Sequence, residues 1–490
     1  MYESMNEVNS AKIKKLRVGE THDYGQVLRA SGIFYFKQSA TFKTTISFLN
    51  YWVLKREIKV AIVASVRDLS GQLIRRESLE FEPGMVINYY PEDLGDFEGS
   101  IEIEAFGNTN LVIPYAGIMA MYESDRGISM VHSYARVYSR HEVEEGKMHN
   151  EGSEVCLPMK DTDDIDSYTI FHNGFLSCPP QTMTVSIMNA KCERQEREVE
   201  VGALQPYETF KLRYKDYFDD LPAFLDGETG YAKVLFRLAN SFKRLLCINQ
   251  AVDGSDFQVT HSDFDYSLHE TNTIENGEYG YMAIPHVKGG FEQNVVIYPD
   301  AVPGEYVASN IDNEEYAFND RAAAIVPVDN SRDRLDRLEF KKLDGEVPTR
   351  LHTGMRIGVP GSGCISGESC LGITGPTLPK RFHWMVVSGA PNLETRLLVQ
   401  DKKGVFENQQ GGEATFNLYS AYSQEPLTAT RELWDLRNGL RLAELFGEEH
   451  VEFLGGAYGW ITLYTPEVRT LVMFCIIQNE TRSVTFEHAI

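Results

Sequence analysis

The sequence predicts an all-β protein of tandem antiparallel β-sandwich domains, three related copies plus one divergent β-segment. Three observations carry that expectation: period-two alternation of apolar and polar residues, closely spaced turn signals, and a segment that recurs three times. In "SIEIEAF" Ile101, Ile103 and Ala105 alternate with Glu102 and Glu104, and "TMTVSIM" repeats the pattern with Met183, Val185 and Ile187. Successive side chains of a strand point to opposite faces, so these runs read as half-buried strands with the glutamates turned away from the core. "VRDLSGQL" sets Asp68 and Gly71 between apolar runs as a hairpin turn does. Helical spacing is scarce. Its best stretch is Arg431 to Phe446, where Leu433, Leu436, Leu440 and Ala443 recur at three and four and Gly439 interrupts.

The repeat has a fixed order: a glycine, an alternating strand, a polar break, a fuller apolar strand, a turn, a short strand and a histidine. Gly99 to His132 spans 33 residues, Gly230 to His261 spans 31, and Gly459 to His488 spans 29. Equal order at near-equal spacing argues for internal duplication. The copies are expected at 30–140, 165–270 and 380–490, each of the size and strand texture of a β-sandwich. Residues 1–29 read as an N-terminal arm, 141–164 as a linker, and 275–379 as a divergent β-domain carrying a glycine-rich loop at 358–376.

A chain of 490 residues divides into several cores. Its 71 acidic against 47 basic residues give a formal charge of -24, which repels phosphate backbones and anionic membrane surfaces, so no nucleic-acid partner is expected. The compact basic run Lys12 to Arg17 reads as a solvated arm. No signal-peptide pattern opens the sequence. Its apolar run Leu471 to Ile477 is far short of the roughly 20 residues that span a bilayer, leaving a soluble cytoplasmic protein as the default expectation. Seven scattered cysteines fit reduced thiols better than a disulfide framework.

Several residues are candidates for chemistry. "VHSYARVY" and "THSDFDYS" share a His-Ser step, best read as one structural corner drawn twice, with the two histidines far apart along a string of domains. The binding reading makes the corners equivalent pockets, His132 with Tyr134 and Arg136, His261 with Asp263 and Asp265. Trp384 is the candidate aromatic platform for a sugar ring. His352, Cys364, Cys370 and His383 supply the two imidazoles and two thiols that zinc prefers, at spacing H-x11-C-x5-C-x12-H around the glycine-rich loop. Calcium is the weaker cofactor expectation, on the acidic run Asp161 to Ser167.

G-x-S-x-G, H-E-x-x-H and the P-loop pattern do not occur. The expectation is therefore a non-catalytic multidomain binding or scaffolding protein with protein or glycan partners, open to homo-oligomeric assembly through its strand edges. The competing expectation is a carbohydrate-active hydrolase or transferase, with its site where the divergent segment meets the last sandwich.

Overall fold

The structure, a computed structural model, describes residues 28–80, 82, 84–107, 117–132, 152–237, 245–265, 272–274, 280–332, 336–371 and 380–490. Among them the chain folds as four β-sandwiches. The first holds β1 (Leu28–Gln38), β2 (Phe42–Leu49), β3 (Ala61–Asp68), β4 (Leu73–Leu79), β5 (Val86–Tyr89), β6 (Phe97–Gly107), β7 (Ile118–Ser124) and β8 (Ile128–His132). The second holds β9 (Gly152–Met159), β10 (Ile165–His172), β11 (Gln181–Met188), β12 (Arg194–Val201), β13 (Thr209–Arg213), β14 (Gly230–Phe236), β15 (Leu246–Ala251), β16 (Phe257–His261) and β17 (Asp263–Phe264). The third runs through β18 (Gly280–Ile284), β19 (Glu292–Ile297), β20 (Glu305–Ser309), β21 (Glu315–Asn319), β22 (Ala324–Pro327), β23 (Asp336–Lys342), β24 (Thr353–Gly358) and β25 (Gly367–Leu371). The fourth comprises β26 (Phe382–Ser388), β27 (Leu393–Asp401), β28 (Glu413–Tyr419), β29 (Leu427–Glu432), β30 (Leu440–Arg441), β31 (Tyr458–Tyr464), β32 (Thr470–Gln478) and β33 (Val484–His488).

All four share one topology. In each, the first, sixth, third and fourth strands make one antiparallel sheet in that order, and the fifth, second, seventh and eighth make the other. The second sandwich adds β17 beside its first strand. The segment expected to diverge is thus a full copy of the same fold. It escapes the sequence repeat because its last strand, "GESCL", ends in Leu371 where the others end in His132, His261 and His488. Strand β9 falls inside the segment 141–164 read as a linker; it pairs with β14 and opens the second sandwich.

Two local readings are corrected. Glu102 and Glu104 do alternate with Ile101 and Ile103, but both glutamates are 0% exposed. Arg29 reaches both carboxylates, the Glu104 contact at 2.7 Å; Arg67 reaches Glu102 at 3.3 Å and Arg76 reaches Glu104 at 3.1 Å. Burial, and then the neighbouring Glu104, pushes the Glu102 carboxyl upward against the pull of these guanidiniums. Tyr207 of the second sandwich stacks on Arg67 at 4.0 Å, so the charged face of the sheet lies at a domain contact. The stretch Arg431 to Phe446 is not one helix: β29 ends at Glu432, a 3-10 turn covers Leu433–Leu436, and a short helix spans Leu442–Phe446. Gly439, with φ +79, takes a conformation that breaks α-helical continuity. Leu433 and Leu436 are buried all the same, so the three-residue spacing reports a 3-10 face. The Asp68–Gly71 hairpin forms as expected, Gly71 N–H donating to the Asp68 carbonyl at 3.0 Å.

The sandwiches pack into a ring. One apolar core joins residues of the first, second and fourth sandwiches, with Phe257 meeting Phe42 and Tyr122 at ring-centroid distances of 5.0 and 5.1 Å. A second core joins the third sandwich to Met473, Cys475, Val484 and Phe486 of the fourth. Between the second and third, Tyr231 meets Tyr298 edge-to-face at 5.0 Å, and Lys233 reaches Asp300 at 3.3 Å. No helix among the described residues is long and apolar enough to cross a membrane.

Candidate functional site

The eighth strand of every sandwich lies at the centre of this ring. Strand β8 packs against β16 and β33, β16 against β25, and β25 against β33, so the four close on one another. The register of each final hairpin shows which residues are equivalent: His132 faces Met119, His261 faces Leu246, Leu371 faces Thr353, and His488 faces Met473. Polar side chains at the second position of these strands stitch the ring. Ser129 accepts from Val259 N–H at 2.9 Å, Thr485 accepts from Met130 N–H at 3.0 Å, and the Gln258 amide donates to the Ile128 carbonyl at 3.1 Å.

Three of the four final positions are histidine, and the ring brings them together. The His132 ring centroid is 4.5 Å from that of His261 and 4.7 Å from that of His488, and His261 and His488 are 6.0 Å apart. Glu487 completes the group: its Oε2 stands 3.2 Å from His132 Nδ1 and its Oε1 3.7 Å from His488 Nε2. One ligand atom from each of the four residues can be chosen so that all lie within 4.8 Å of one another. His132, His261 and Glu487 are buried. The Ser369 hydroxyl donates to Glu487 Oε1 at 3.0 Å, and His488 N–H donates to the same atom at 2.9 Å. Burial drives the His488 imidazole down to about 4, opposed by the Glu487 charge and aided by His132. Such a cluster can share a proton or hold a cation; three charged imidazoles this close would repel strongly in low dielectric.

His132 and His261 were expected as fold corners lying far apart. They are corners of the repeated fold, and the ring makes them neighbours. Glu487 and His488 carried no role in the sequence reading, although His488 closes the third repeat; equivalence of the repeats was the signal that could have placed it here. Tyr134 and Arg136 lie outside the described residues. Asp263 sits on β17, buried in the ladder with Val155, and Asp265 accepts from Ser153 at 2.9 Å and pairs with Lys233 at 2.5 Å. Both follow the chain away from His261 to the other sheet of the second sandwich. Trp384, 4% exposed, packs edge-to-face on Phe382 at 5.2 Å within the core, whereas stacking on a sugar needs an open ring face.

The residues expected to bind zinc do not gather into one group of ligands. His352 is buried ahead of β24, its carbonyl accepting from Tyr298 N–H at 2.9 Å. Cys364 lies against the Thr481 carbonyl at 3.6 Å, and Cys370 against the Cys156 carbonyl of the second sandwich at 3.4 Å. His383 meets the Thr470 hydroxyl at 2.8 Å, and burial lowers its imidazole to about 3. Among the described residues, the His, Cys and acidic side chains that gather three or more potential ligands are those of the central cluster. In the acidic run, Asp166 is held by Arg213 at 2.6 Å and by Lys215, while Asp161 turns inward to accept from Ser167 N–H at 3.2 Å. Asp161 and Asp166 thus face separate partners.

Beside the cluster, between the second and third sandwiches, a cavity of about 40 Å³ is lined by Asn249, Gln258, Thr260, Arg356 and Glu368 among others, room for a few ordered waters. Burial pushes the Glu368 carboxyl up to about 8, and the Arg356 guanidinium, whose Nε donates to it at 2.8 Å, favours its charged form.

No protein-family description matches the chain, and no curated protein does. Among solved structures, a glycosyl hydrolase family 2 member from Bacteroides cellulosilyticus DSM 14838 aligns over 95% of this chain and 92% of its own at 7% identity, with a TM-score of 0.14.

Proposed function

We propose that this protein is a non-catalytic binding scaffold, a ring that holds four copies of one sandwich in fixed mutual orientation and offers their outer edges to protein or glycan partners. The observation that supports this reading is the repetition of an open edge. The fourth strand of every sandwich ends its sheet: among the described residues β4, β12, β21 and β29 each have one hydrogen-bonded strand neighbour. Each carries mostly exposed or half-exposed side chains. An unpaired edge presents backbone N–H and C=O groups that an extended segment can join, and four such edges on one rigid body favour multivalent capture. The charges along β12, "RQEREVEV", discourage indiscriminate pairing and give the edge selectivity.

The test is a glycan array and a panel of immobilised extended peptides, run beside turnover assays on aryl glycosides. Saturable binding without turnover, weakened by proline placed in β4 or β29, supports the proposal. Turnover that survives purification and is lost on substituting a carboxylate, with the fold intact, refutes it.

A further inference from the structure

We infer that the central cluster, His132, His261, Glu487 and His488, is a closed binding site for one divalent first-row transition metal ion, zinc foremost. The inference stands apart from whatever the outer edges bind. Three sandwiches contribute donors, and the sequence separates them by 129 residues from His132 to His261 and 227 from His261 to His488.

Geometry comes first. A tetrahedral zinc site with bonds of about 2.0–2.1 Å sets its donors roughly 3.4 Å apart. Here four donor atoms lie within 4.8 Å of one another, and the His132–Glu487 pair is already at 3.2 Å. Small side-chain rotations close the remainder. The outer contacts of two of the imidazoles are those of metal-bound histidines. His261 Nδ1 lies 2.7 Å from the carbonyl oxygen of Ser262; a carbonyl only accepts, so Nδ1 carries the hydrogen and Nε2 keeps its lone pair for a ligand. His488 repeats the arrangement two copies later, Nδ1 at 3.4 Å from the Ala489 carbonyl. The same step in the same corner of two sandwiches comes from the fold, so the tautomer is set before any ion arrives.

Charge and coordination number agree. Glu487 is a buried carboxylate among imidazoles, and a divalent ion would neutralise it while removing any need for the three rings to share protons. The equivalent position in the third sandwich is Leu371, 7% exposed, an apolar residue that offers no ligand atom. Three imidazoles and one carboxylate then fill a tetrahedron with no position left for substrate, the pattern of a structural site. With nitrogen and oxygen donors and no sulfur, zinc fits, and nickel, copper and cobalt are competitors.

The experiment uses the full, tag-free chain, stripped with chelator and titrated with cobalt(II) and with zinc. The expected result is about one metal per chain and the strong visible bands of tetrahedral cobalt, without the near-ultraviolet charge-transfer band that thiolate ligation produces. His132→Asn and Glu487→Gln should weaken zinc binding at least about tenfold, while the Cys364→Ala, Cys370→Ala double variant should retain it. A thiolate band, or metal retained unchanged in the two cluster variants, would assign the ion elsewhere and overturn the inference. So would a wild-type chain that takes up no metal; because the cobalt spectrum is read on the unmodified protein, variants that fail to fold do not blunt the test.

Discussion

The indole N–H of Trp460, on β31 of the fourth sandwich, donates to the hydroxyl of Ser47, on β2 of the first, at 3.0 Å. Both side chains are 0% exposed, so this bond lies inside the seam where the last copy meets the first and the ring closes. Nearby, the Asn88 amide donates to the Tyr458 carbonyl at 2.8 Å and the Tyr458 hydroxyl donates to Glu123 at 2.7 Å.

Closure of this seam is measurable by a double-mutant cycle. Trp460→Phe removes the donor and some packing, and Ser47→Ala removes the acceptor. Their coupling should be about 1 kcal/mol by urea denaturation, with Trp460→Phe alone costing roughly 1–3 kcal/mol. Additive effects would mean the bond does not form in solution.

The buried carboxylates of β6 should be far more sensitive than an exposed strand face would be. Glu104→Ala leaves Arg29 and Arg76 without their shared partner, and breaking a buried ion pair costs about 3–5 kcal/mol. Exposed Glu200 on β12, hydrogen-bonded to Thr182, should cost under about 0.5 kcal/mol on the same change. Equal losses in the two variants would contradict the placement of Glu104.

Acid should destabilise the protein before its carboxylates titrate. Burial lowers His172 to about 3 in the folded state, and His383 likewise to about 3. An unfolded chain takes protons on these groups near 6.5, so between about 6.5 and 3 it binds more protons than the native state does. Stability is complete above about 6.5 and falls as pH drops, by up to about 1.4 kcal/mol per pH unit for each group. Urea midpoints measured from pH 7 to 5 should fall, and His172→Gln should flatten the slope; an unchanged slope would show that His172 is protonated in the native state.

The centre of the ring has no room for extra bulk between β25 and β33. A Cβ added at Gly367 would stand 2.5 Å from the Val484 carbonyl oxygen, a backbone atom that cannot rotate away. Gly367→Ala should therefore cost about 1–3 kcal/mol, while Gly202→Ala, which meets open space, should be near neutral. Thermal melts of the two variants provide the comparison.

Strands were legible where period two survives, as in β11 and β28, and three copies were legible because they end alike. The fourth copy was hidden by Leu371, since the repeat was anchored on its histidine and the topology leaves no trace in "GESCL". Glu102 and Glu104 misled because alternation reveals which residues share a face but not whether a neighbouring sandwich covers that face. The cluster was half legible: His132 and His261 stood out, yet nothing local in the sequence says that the fourth sandwich returns to the first, and only that return makes His488 and Glu487 their neighbours. His352, Cys364, Cys370 and His383 erred the other way. Their proximity in sequence is undone because β24, β25 and β26 run between them and separate their side chains.

A ring assembled from four separate, identical chains would have to repeat every central side chain four times, all histidine or all leucine, and would have no place for a lone glutamate. Fusing the four units into one polypeptide lifts that obligation. Each corner is then free to mutate by itself, and three histidines and one glutamate can meet while the fourth corner holds leucine, a mixture that strict symmetry would forbid.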